Sequence, residues 1–132
     1  MAYPTGSGSE ILRRGAIHNQ VAADTNFRFD GVSPTTGTTS GSGYSVATNH
    51  IITILSIIIM DQSNSSKTFR LYGLFGGSSV GIIFLQNVPV GPYETYVWNE
   101  RLVLHPTDRL VFNGLASANF DLYYTYIDQD WT

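Results

Sequence analysis

A chain of 132 residues holds one domain with room for a real core, and little more. The absence of cysteine excludes disulfides and thiolate chemistry, and a net charge of −3 with only seven lysines and arginines excludes the basic tract that a nucleic-acid backbone requires. Charged residues make up only 13% of the chain while Gly, Ser, Thr, Asn and Tyr are plentiful, the palette of an all-β domain with an uncharged polar surface.

The first ten residues lack the basic start and apolar centre of a signal peptide. The chain is therefore expected to be used where it is made, in a cytoplasm or in a particle assembled there. Residues 1–9 offer nothing to bury. Ile11, Leu12, Ala16 and Ile17 follow as sparse anchors, separated by Arg13, Arg14 and Gly15. This pattern predicts an extended N-terminal arm over residues 1–20, lying on its own domain or on a neighbour, with a single β-sandwich (jelly-roll) domain over 21–132.

Phe27 and Phe29 alternate with Arg28, a half-buried strand signal. Residues 31–43 are a Thr/Gly/Ser loop, after which Tyr44 and Val46 lead into His50–Asp61. That run carries six isoleucines, whose branched β-carbons suit a pleated strand. Split by parity, Ile51, Thr53, Leu55, Ile57 and Ile59 share one face, and Ile52, Ile54, Ser56, Ile58 and Met60 the other. Both faces are mostly apolar, so the strand is central and covered on both sides. The run is too short and too polar at His50, Thr53, Ser56 and Asp61 for a membrane helix, which needs ~18 to 20 apolar residues.

Residues 68–74 return with Phe69 and Leu71 on one face, and a Gly-Gly-Ser-Ser connection leads to residues 80–85. Pro89, Gly91 and Pro92 break the next stretch. Glu94, Tyr96 and Trp98 then share a parity against Thr95 and Val97, and Leu102 and Leu104 end a short strand. After the turn at 105–108, Leu110 and Phe112 point inward. In the last strand Phe120, Leu122, Tyr124 and Tyr126 oppose Asp121, Tyr123, Thr125 and Ile127. Eight or nine short strands spaced by turn residues, with no room for crossover helices, predict an all-β, antiparallel sandwich or jelly roll. Its expected core includes Ile52, Ile54, Ile57, Phe69, Leu71, Trp98, Leu110 and Phe112.

For chemistry the sequence offers little. Histidines 18, 50 and 105 form no pair at metal-ligand spacing, and Asp128 with Asp130 falls short of a calcium site. No serine lies in a nucleophile elbow, no phosphate loop occurs, and Glu94, Glu100, Asp108 and Asp121 each have a turn or edge role. No enzyme, metal or cofactor is expected. The aromatic set of Tyr93, Tyr96, Trp98, Tyr123, Tyr124, Tyr126 and Trp131 can serve as core, as contact surface or as a stacking platform for carbohydrate. Because the last strand is apolar or aromatic on both parities, Tyr123, Thr125, Ile127 and Trp131 are the candidate subunit interface.

Two stretches carry a resemblance. Tyr44-Ser-Val-Ala-Thr-Asn-His-Ile-Ile-Thr-Ile-Leu-Ser-Ile is similar to a strand pair of small β-sandwich virion proteins of tailed bacteriophages. So are Val90-Gly-Pro-Tyr-Glu-Thr and Leu102-Val-Leu-His-Pro-Thr-Asp-Arg-Leu. The likeness spans residues 44–127. The chain has Ala47 where that family commonly has proline, and Thr107 where it commonly has glycine. Among such proteins a chain of this size most resembles a capsid cement (decoration) protein. The resemblance implies a homotrimer on the outer surface of the virion, clipped to the major capsid protein of the same phage, with no nucleic-acid or membrane partner. The arm residues Ile11, Leu12, Arg13, Arg14 and Ile17 would then bind the partner. The alternative is a tail or fibre module that reads a cell-surface glycan with Trp98 or Trp131.

Overall fold

The computed structural model describes residues 8–20, 24–31, 35–36, 43–115 and 119–131. Among these there are ten strands and no helix: β1 (Ser9–Gln20), β2 (Asp24–Asn26), β3 (Thr35–Thr36), β4 (His50–Asp61), β5 (Lys67–Leu74), β6 (Gly81–Val90), β7 (Thr95–Trp98), β8 (Leu102–Leu104), β9 (Arg109–Leu115) and β10 (Phe120–Asp130). They form two sheets. The larger runs β3-β1-β10-β4, with β7 and β8 both pairing along the far side of β4, and the smaller runs β2-β9-β5-β6. Every pairing is antiparallel except the two-residue contact of β1 with β3. Apart from the β5–β6 hairpin and the succession of β7 and β8, the main strands alternate between the sheets along the chain. That winding is a jelly roll, as expected.

The core between the sheets is aromatic at its centre. Phe69 stacks on Phe112 at 5.2 Å, and Phe120 meets Phe112 edge-on at 5.4 Å. Ile52, Ile54, Ile57, Leu71 and Leu110 are buried with them. Trp98 differs from the expectation. It is half-buried at the margin of the core, 6.2 Å from the ring of Phe84, because β7 is an edge strand with little cover beyond it.

Two further corrections concern β1 and β4. The described part of the arm expected over residues 1–20 lies on its own domain, as a strand of the larger sheet. Ser9–Gln20 pairs with β10 almost throughout its length, so the expected boundary at residue 20 does not separate it from the sandwich, and residues 1–7 lie outside the described set. The reason is visible in Gly15. A methyl group there would collide with the ring of Tyr124, so the missing side chain lets that ring lie against the β1 backbone. Gly15 is the close-approach position that admits β1 to the sheet.

In β4 the single parity of the sequence reading does not persist. Thr125 pairs with Ser56, but Tyr126 pairs with Ile54, leaving Leu55 as the extra residue of a β-bulge. Inward positions therefore switch from Ile52 and Ile54 to Ile57 and Ile59. An alternation that ignores the bulge puts Ile57 and Ile59 on the wrong face.

A candidate assembly surface

The register of the larger sheet sets the composition of its outer face. One row across the strands is Leu12, Ile127, Thr53 and Val103. The next holds Arg14, Thr125 and Ser56, and the third Ala16, Tyr123, Ile58 and Val97. Charge is confined to the margins: Glu10 and Arg14 on β1, and Asp121 with its His18 partner at one end, 3.0 Å apart. Across β10, β4, β7 and β8, the two rows with Ile127 and Tyr123 have no charged residue. Leu12 is 71% exposed, and Val97 and Val103 each 51%.

The smaller sheet presents the opposite chemistry. There Arg70 lies 5.1 Å over the Tyr72 ring and 3.9 Å from Asp24, which also accepts a hydrogen bond from Asn113 Nδ2 at 2.8 Å. Val111, although on that outward parity, is shielded to 2% exposure. Burial pushes the Tyr72 hydroxyl up to about 12, so it stays a neutral donor. That face is ionic and aromatic over β2, β9 and β5, while Ile83 on β6 is 52% exposed beside Tyr72.

A charged cluster closes one end of the sandwich. The buried Asp128 carboxylate binds His50 Nδ1 at 2.7 Å and lies 3.4 Å from Arg13 Nε. Nearby, Arg28 holds Asp30 through two contacts of 2.6 and 2.8 Å and donates to the Tyr44 hydroxyl at 2.9 Å. The Tyr124 hydroxyl accepts from Arg28 N at 2.9 Å and donates to Arg28 O at 2.6 Å, tying residues 27–29 to β10. These polar groups answer one another and act as fasteners between strands.

The sequence-predicted residues separate into three groups. Ile17 is buried in the core and Arg13 is drawn to Asp128, so neither reaches outward. Ile11, Leu12 and Arg14 are exposed. Leu12 and Arg14 join the interface candidates Ile127 and Thr125 in the same rows, so arm and interface form one surface. Trp131 lies past the end of β10, half-buried, its backbone N–H bonded to Asn49 O at 3.2 Å. Ile58, Val97 and Val103 belong to the surface and were not singled out from sequence. Their signal was the alternation of Val97 against Trp98 and of Val103 against Leu104.

The suspected acids are structural where they are buried. Asp108 accepts from the backbone N–H groups of Gly76 and His105, each at 2.8 Å. Among the described residues no group of three or more His, Asp or Glu side chains is placed to hold a metal ion.

No protein-family model and no curated protein sequence matches the chain. Among solved structures it is similar to a chain of Bacillus endospore appendages, described as a novel family of disulfide-linked pili, at 11% identity and a TM-score of 0.53, covering 100% of this chain and 97% of that one. Eiger TNF from S. frugiperda aligns at 14% identity and a TM-score of 0.41, over 92% of each chain. A chain of infectious bursal disease virus, Gx strain, aligns at 7% identity and a TM-score of 0.30, over 98% of this chain and 35% of that one. At 11% identity the first likeness is one of fold alone, and the scores of the other two carry no argument.

Proposed function

We propose that this jelly roll is a structural subunit of a bacteriophage virion, a capsid cement protein that works by adhesion and performs no catalysis. The observation that supports this reading is the uncharged outer face of the larger sheet. With β4 ~40 Å long and three strand widths of ~4.8 Å across β10, β4 and the end-to-end β7 and β8, the face measures roughly 580 Å², about three-quarters of the ~800 Å² per partner of a stable interface. The family resemblance of residues 44–127 supplies the virion setting.

In this reading Tyr123, Thr125, Ile127, Ile58, Val97 and Val103 meet the same face of other copies in a homotrimer. Ile11 and Arg14, at the β1 margin, remain for the major capsid protein on the outer surface of the shell, where an arginine can bind carboxylates bidentately. Many copies on a symmetric shell then act together through effective concentration, so each contact can be weak. A glycan-reading fibre module is favoured less, because Trp98 packs against Phe84 within its own fold.

Ile127→Glu places a carboxylate at the centre of the apolar rows and leaves the core untouched. Light scattering on a sizing column should show the trimer mass falling to that of a smaller species. Co-sedimentation of this variant with capsids stripped of the protein should fall at least ten-fold. Unchanged mass and unchanged sedimentation would remove the basis of the proposal, and binding to a glycan array without capsid binding would favour the fibre module.

A further inference from the structure

One end of the sandwich gathers a second kind of site. After Tyr124 and Tyr126, the inward parity of β10 continues to Asp128 and Asp130. The antiparallel register sets Asp130 directly opposite His50, the first residue of β4. Residues two apart on a strand, and residues facing across a ladder, point to the same side, so the three side chains converge. His50 and Asp128 lie 78 positions apart in the chain, so no sequence spacing announces them.

Asp128 fixes the imidazole. Its carboxylate is buried, holds His50 Nδ1 at 2.7 Å and lies 3.4 Å from Arg13 Nε. A carboxylate only accepts, so Nδ1 carries the hydrogen, and Nε2 of the neutral ring is left with a lone pair. Nε2 lies 3.8 Å from Asp130 Oδ2, a second electron-rich atom. That separation is too long for a hydrogen bond, whose donor and acceptor sit ~2.7 to 3.2 Å apart. It does suit two ligands of one metal ion. Bonds of ~2.0 to 2.1 Å place donor atoms ~2.9 Å apart at a right angle and ~4.1 Å apart in line. A carboxylate on the far nitrogen is also the usual partner that orients a metal-binding histidine.

The geometry points to a site for a divalent first-row metal such as zinc, held by His50 Nε2 and an Asp130 carboxylate oxygen, with Asp128 as the positioning residue. Imidazole with carboxylate suits zinc and its neighbours better than calcium or magnesium. Charge favours a cation as well: Arg13 and Arg28 face three carboxylates, Asp30, Asp128 and Asp130, so with His50 neutral these side chains together carry one negative charge. Among the described residues no group of three His, Asp or Glu side chains is placed to hold the ion, so water completes the shell and the site is weak. A hollow of about 300 Å³, lined by His50, Asp128, Arg13, Asp30 and Ser45 among others, gives that water room. The ion would clip the start of β4 to the end of β10. The site lies within one copy, on the parity opposite Ile127, and does not rest on the assembly reading.

The test uses the full chain with isotope-labelled histidine nitrogens and zinc chloride as the probe, in mildly alkaline buffer. By NMR, zinc should shift His50 Nε2 and leave Nδ1 protonated, because Asp128 keeps that hydrogen. Zinc should also raise the melting temperature, and EDTA should reverse the rise. In titration calorimetry His50→Gln and Asp130→Asn should each weaken zinc binding at least ten-fold. His18→Gln, which removes another histidine beside an aspartate, should leave it unchanged. A His50 Nε2 signal unmoved by excess zinc would overturn the inference, and that reading needs no variant to fold. So would full-strength binding by a His50→Gln or Asp130→Asn protein with a normal melting curve, or equal weakening in His18→Gln.

Discussion

Thr107 shows how a single residue can be stressed by its turn. Its φ is 74°, a conformation that a β-branched residue rarely adopts. The turn is held there because Thr107 N bonds Val46 O at 2.9 Å and the Asp108 carboxylate accepts from the backbone N–H groups of His105 in the turn and of Gly76 in the loop after β5. Glycine at this position removes the strain. Relief of ~1 to 3 kcal/mol outweighs the ~0.5 to 1 kcal/mol of added chain entropy, so Thr107→Gly should stabilise by about 1 kcal/mol in urea unfolding. Gly15 is the opposite case. The ring that a methyl group would strike is anchored through its hydroxyl to Arg28, so it cannot swing away. Gly15→Ala should cost roughly 3 kcal/mol, read from the same urea curves.

The buried tyrosines give the residue scale a pH dependence. Burial pushes the Tyr126 hydroxyl up to about 12 and raises that of Tyr124 as well. Their neutral forms are therefore favoured in the folded state. On unfolding they regain an ordinary value near ~10 and release protons that the native state would keep. The unfolded state then binds fewer protons, so stability is complete below about pH 10 and falls as pH climbs toward 12. The urea midpoint should drop over that interval, and the drop should be shallower in Tyr126→Phe.

Elements depend on register, and the β4 bulge makes the point testable. Deleting Leu55 removes the extra residue, yet Ile52, Ile54, Ile57 and Ile59 still alternate inward with Thr53, Ser56 and Ile58 outward. That deletion should give a folded protein with a regular strand. Deleting Ile58 has no such compensation. It turns Met60 inward and Ile59 outward, and should abolish the cooperative thermal transition. Recovery of a sharp melt in the second deletion would show that β4 slips freely. At the same scale β1 is a structural strand: it supplies Ile17 to the core and covers the edge of β10.

The whole molecule is a sandwich with two unlike outer faces. Ionic and aromatic contacts cover the smaller sheet over β2, β9 and β5, and apolar rows run across the larger one. Association through apolar rows has a recognisable salt dependence. Screening leaves it in place, and sulfate strengthens it, whereas assembly by surface ion pairs weakens over the same range. The loss expected for Ile127→Glu should accordingly persist at high salt, since its cause is the desolvation of a carboxylate and not a broken ion pair.

Composition and local alternation were enough to determine the all-β class, most strand positions and the excess of apolar faces. Each of these depends on side chains two residues apart on a strand, and that spacing is written in the chain. The face on which each isoleucine of β4 sits, the place of Ser9–Gln20 in the sheet, and the merging of Leu12 with Ile127 were decided by tertiary structure. They depend on which strands become neighbours and where one residue goes unpaired, and residues roughly 60 to 120 positions apart settle both.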